Sequence, residues 1–144
     1  MNLKSIADAI AAQIGTVTVN GQSATATASL PNTVSSVALV VYPPTGSLEV
    51  GATARRDDVY DFPVRLLRDP LNVPARTDEL YAWFNALRDL IEANVDLNLA
   101  YVSYAQPTSL RMAIDGQRYG DSLYDVVEFI VTVRVNEHVS TVAV

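Results

Sequence analysis

Residues 121–135, DSLYDVVEFIVTVRV, hold neither glycine nor proline and read as one uninterrupted β-strand. Ordinary strands run to about five or six residues. Thirteen extended residues, 123–135, would span about 43 Å at ~3.3 Å each. A compact domain of 144 residues is only about 37 Å across. Such a strand must bend, protrude, or form a surface that another molecule completes. Its odd positions, Leu123, Val127, Phe129, Val131, Val133 and Val135, are apolar, with Asp125 interrupting. Its even positions, Tyr124, Val126, Glu128, Ile130, Thr132 and Arg134, mix apolar and charged groups. One face is therefore core, and the other has the mixed chemistry of an interface more than of a free surface. These six even residues form the expected subunit interface.

The rest of the chain supplies a domain around this strand. Leu3, Ile6, Ala7, Ile10 and Ile14 fall at helical spacing, with Gly15 as the expected stop. TVTVNGQSATAT alternates on both sides of Asn20-Gly21, the pair that best tolerates a tight hairpin turn. Because its second arm offers only alanines to a core, a hairpin over 16–30 is expected to project. SVALVVY reads as a strand covered on both faces and is stopped by Pro43-Pro44. Residues 43–58, PPTGSLEVGATARRDD, then read as a long loop. Its Arg55, Arg56, Asp57 and Asp58 form a candidate partner-contact patch. VYDFPVRLLR resumes alternation as a strand, with Pro63 marking an edge or a bulge.

The second helix follows Pro70 and Pro74, with Thr77 as expected cap and Asp78 and Glu79 favourable in its first turn. Leu80, Trp83, Phe84, Leu87, Leu90 and Ile91 share an arc of about 120°. Trp83 is thus a core residue, not a stacking platform. LAYVSYAQPTSLRMAI, broken by Pro107, then pairs with the closing strand through a turn near Asp115-Gly116. The order predicts a single α+β domain over 1–144. Its sheet is mainly antiparallel and twisted, two helices pack on one face, and the terminal strand is long.

Chemistry-bearing patterns are scarce. His138, the only histidine, stands beside Glu137 and Ser140 on an extended tail, where neighbours point in different directions and make no triad. No phosphate-cradling glycine loop and no HExxH zinc pattern occurs. DGQRYGDSLYD lacks the order of a calcium loop and reads as a turn. No catalytic, metal or cofactor residue is assigned, and the chain is expected not to be an enzyme. Cysteine is absent, which excludes disulfides and thiolate metal sites. A formal net charge of −6 disfavours phosphate-reading surfaces, while remaining compatible with a wall that DNA passes without sticking. Asp8 and Gln13 spoil a signal-peptide core, and VALVVY is far too short to span a bilayer, so a soluble, unexported chain is expected.

The layout resembles the tail terminator, or tail completion, proteins of long-tailed bacteriophages. The resemblance is carried by the opening helix, VALVVYPP, YDFPVRLLRDP, the helix TDELYAWFNALRDLIEA and the closing YGDSLYDVVEFIVTVRV. It covers most of the chain, in pattern and order. It implies a structural virion protein forming a hexameric ring, assembled in the host cytoplasm and located at the phage neck. Such a ring caps the tail tube, stops its polymerisation and joins the tail to the head connector while DNA passes through. The implied partners are further copies of the chain, the tube protein and the connector, with no cofactor and no membrane. Another neck or head-completion adaptor is the nearest alternative. A small ferredoxin-like ligand-binding domain or enzyme is the alternative of a different class.

Overall fold

The computed structural model describes residues 1–29, 37–48, 55–68, 76–119 and 122–138. Helix α1 spans Leu3–Ile14. The Asn2 side chain accepts from the amides of Lys4 at 2.9 Å and Ser5 at 3.3 Å, satisfying two donors that the helix cannot. Ile6, Ile10 and Ile14, one turn apart, are fully buried. Gly15 does cap the helix, but with φ −69° rather than in the left-handed region.

Strands β1 (Thr18–Val19) and β2 (Gln22–Ser23) form the hairpin, turning at Asn20 (φ 52°) and Gly21 (φ 77°) as that dipeptide predicts. The arm is much shorter than expected and does not stand clear of the body. Val17 and Ala24 at its base are each only 2% exposed. β3 (Thr25–Thr27) then joins the main sheet. Alanine proves sufficient, because a small side chain suits a close approach to α1.

That sheet has six strands, with β4 (Val37–Val41), β5 (Thr45–Ser47), β6 (Arg55–Arg68), β7 (Val102–Tyr119) and β8 (Ser122–His138) completing it. The order is β3-β4-β6-β8-β7, with β5 pairing β6 beside β4. Only β3 and β4 run parallel. The expected loop over 43–58 is therefore strand at both described ends. Arg55–Asp58 open β6, opposite Val135–His138, and β5 lies so close to β6 that a Cβ on Gly46 would sit 2.6 Å from the Tyr60 ring. Pro63 lies inside β6 with neighbours on both sides, opposite Ile130 on β8.

Helix α2 spans Arg76–Glu92, starting one residue ahead of the expected cap. Leu80, Trp83, Leu87 and Ile91 are buried against the sheet, and Phe84 meets Phe129 edge-on with ring centres 5.9 Å apart. Gln13 ties the helices together by donating to the Leu90 carbonyl at 2.7 Å. Both helices lie on one face of the sheet, over Tyr60, Phe62, Val64, Leu66, Val127, Phe129, Val131 and Val133.

The closing hairpin is longer than expected. Asp115 and Gly116 form an irregularity within β7 instead of its turn, with Asp115 at φ 51° and the register shifting between Ala113 and Gln117. A second shift accompanies Pro107, which lacks the amide that a regular ladder needs.

Candidate functional site

The face of β6, β8 and β7 turned away from the helices is a ladder of polar pairs. Arg134 donates twice to Asp57, at 2.9 and 2.6 Å. This fork holds the Asp57 carboxyl below its ordinary range and raises the guanidinium. One step along, Thr132 donates to Asp61 at 2.7 Å and lies 2.8 Å from the Thr108 hydroxyl. Next, Glu128 accepts from Arg65, with Arg111 at 3.9 Å on its other side. Arg65 also reaches Gln117 at 3.2 Å and covers the Tyr42 ring at 4.7 Å. Ile130 sits half-buried in its row between Pro63 and Ser109. The ladder ends in a small apolar cluster of Leu67, Tyr124 and Val126.

This geometry divides the six residues of the expected interface. Val126 is 0% and Tyr124 8% exposed within the single chain, where both pack into its second cluster. Glu128 and Thr132 are half-buried, Arg134 is exposed, and all three find their polar partners on β6 and β7. The sequence places these six side chains on one face correctly. Alternation along one strand says nothing of which residues stand across the ladder, and here those are complementary charges.

The candidate partner patch is likewise divided by strand alternation. Arg55 is exposed and donates to Asn136 at 2.7 Å, and Arg56 and Asp57 are half-buried. Asp58 is 3% exposed at the end of the core face, accepting from the Tyr60 hydroxyl at 2.9 Å. Burial, then that bond to a carboxylate, pushes the Tyr60 phenol up to about 12. Arg56 bridges Glu137 at 3.3 Å, and the amino group of Met1 meets Glu137 at 2.5 Å. The opposite end of the core face is also closed by charge. Buried Arg68 meets Glu79 at 2.5 Å and buried Asp125 at 3.6 Å, and Asp125 accepts from the Asp115 amide at 3.0 Å. Apolar core thus runs between two ionic clasps.

Sequence reasoning missed a third surface, on the outer edge of β7. The first part of this edge is closed by the chain itself, where the Ala105 amide donates to the Val95 carbonyl at 2.5 Å. From Ser109 to Ala113 β7 pairs regularly with β8, and no described backbone group bonds to its other side. Leu110 and Met112 point to the helix side there, opposite Phe129 and Val127. Shallow clefts separate them from α2, one lined by Phe84, Arg88 and Leu110, the next by Tyr81, Met112 and Ile114. Tyr81 is 55%, Leu110 47% and Ile114 42% exposed. The signal was present in LRMAI, whose alternate apolar residues imply a buried face, but whether a strand lies at the sheet's edge is decided by topology.

Among the described residues no group of three acidic or histidine side chains could hold a metal ion. No described helix is long and apolar enough to cross a membrane. Compared with known proteins, the chain matches no family model and no curated relative.

Proposed function

We propose that this chain is a structural, non-enzymatic subunit of a ring at the neck of a long-tailed bacteriophage, of the tail terminator type. The ring caps the tail tube, halts its growth and offers the joining surface to the head connector, with DNA passing through its centre. Assembly takes place in the host cytoplasm and the product belongs to the virion.

The observation that carries this reading is the open sheet with unlike edges. At one side stands the three-residue β3, at the other the 18-residue β7 flanked by uncovered Leu110 and Ile114. Exposed edges invite further strands. When unlike patches of identical subunits meet, the contact is heterologous, and it builds a ring where the rotation from copy to copy closes and a filament where it does not. A sequence pI of about 4.5 suits a channel that DNA slides through without being held.

Negative-stain imaging of the pure chain mixed with unfinished tails tests the proposal. Rings seated on tube ends, with tube length arrested, are the expected result. Binding to the portal side alone would make the chain a neck adaptor, and a monomer indifferent to both would overturn the reading.

A further inference from the structure

We propose that the cleft between α2 and the free edge of β7 receives residues 139–144 of a second copy, added to the sheet as a strand. The inference rests on the ring reading for its partner, a copy of this same chain. Three observations carry it.

The first is the cleft itself. An edge strand leaves alternate backbone N–H and C=O groups pointing outward. Ser109–Ala113 is the stretch of β7 lying between register shifts on either side, and its outer backbone has no described partner. A strand laid there would place every second side chain on the helix side, over Leu110 and against Phe84 and Tyr81. The added main-chain bonds supply affinity and the pockets supply selection, as in other strand additions.

The second is the chemistry of the segment. Val139 to Val144, VSTVAV, contains three valines and a threonine and has no charged side chain, glycine or proline. Those are strong strand formers. Val142 and Val144 fall on one face of such a strand, two residues apart as Leu110 and Met112 are.

The third is reach. The chain leaves β8 at His138, opposite Arg55, while Leu110 lies opposite Phe129. Nine residues separate His138 from Phe129, or about 30 Å along the strand. Residues 139–144 extend at most about 20–22 Å. Their own Leu110 is out of range. The occupant is therefore a second copy's segment, and one copy's cleft taking the next copy's segment is a head-to-tail relation, the kind from which rings are built when the rotation per copy closes.

Mass photometry and fluorescence anisotropy together test this. The full chain, its Val142→Asp/Val144→Asp double variant and Leu110→Asp are compared, with circular dichroism confirming that all are folded. Both variants are expected to lose assembly at least tenfold. A labelled peptide of residues 136–144 is expected to bind the double variant, and to bind a chain also carrying Leu110→Asp at least tenfold more weakly. A double variant that assembles like the full chain would overturn the proposal and leave the ring intact. Peptide binding insensitive to Leu110→Asp, or no binding, would overturn it as well. Peptide binding at Leu110 by a chain that never assembles, alone or on tubes, would support the cleft and overturn the ring reading instead.

Discussion

The two faces of β8 are made from alternate residues of one strand, yet they are held by different forces. Towards the helices, Val127, Phe129, Val131 and Val133 are at most 1% exposed and pack against β6 and α2. On the other side, Glu128, Thr132 and Arg134 are held by charge and hydrogen bonds to β6 and β7, and only Tyr124 and Val126 reach core-like burial. A face satisfied within its own chain gains little from a partner, because an ion pair already made must be broken or desolvated to be shared. From Ser109 to Ala113 the outer edge of β7 has no such satisfaction among the described residues. Mixed composition on a strand face is therefore compatible with self-sufficiency, and association is better sought where backbone groups and apolar side chains are left uncovered together.

The largest expected effect tests this asymmetry. Phe129→Ala should cost about 3–5 kcal/mol in urea unfolding, as large-to-small changes in a packed core do. Arg134→Ala, on the other face, should leave the midpoint nearly unchanged. Equal losses would show both faces to be core. Next, Asp125→Ala removes one of two carboxylates around buried Arg68 and should cost about 3 kcal/mol, near the lower end for breaking a buried ion pair because Glu79 remains. An unchanged midpoint would show the clasp to be ornamental.

Within the outer face, Tyr124→Asp should destabilise by about 2–3 kcal/mol, since it forces a charge into the second cluster. Ile130→Asp, half-buried in the ladder, should cost less than about 1 kcal/mol. A reversed order would show that the cluster of Leu67, Tyr124 and Val126 is not the covered part of that face.

The last effect concerns the clasp at Tyr60 and is confined to alkaline pH. Its proton is held to about 12 in the folded chain and released near the ordinary value of 10 when unfolded. Between those values the unfolded state loses protons that the native state keeps, so stability is complete below about pH 10 and falls as pH rises towards 12. A rise from 10 to about 12 corresponds to a loss of about 3 kcal/mol. Tyr60→Phe should flatten that alkaline decline in denaturant midpoints, and an unaltered slope would place its origin elsewhere.

Local pattern revealed most of the fold. The periodicity of Ile6, Ile10 and Ile14, that of Leu80, Trp83 and Leu87, the Asn20-Gly21 turn and the alternation of β6 and β8 all reflect forces acting within a few residues. What escaped detection depends on pairing between distant segments. Asp115-Gly116 has the composition of a turn and becomes a bulge, because β8 extends far enough to pair with Gln117, Arg118 and Tyr119. Arg55–Asp58 resembles solvated loop and becomes strand, because Val135–His138 lies alongside it. The β7 cleft was hidden for the same reason: LRMAI shows a buried face, but only the sheet order shows that no described strand follows.

Hydrogen exchange along β7 tests the central claim most directly, comparing the dilute chain with the chain assembled alone or on tail tubes. Amides within Ser109–Ala113 should slow by at least tenfold on assembly, while those of Thr132 and Arg134 in β8, already between two strands, should hardly change. Unaltered exchange across Ser109–Ala113 in a chain that has assembled would contradict association through this edge.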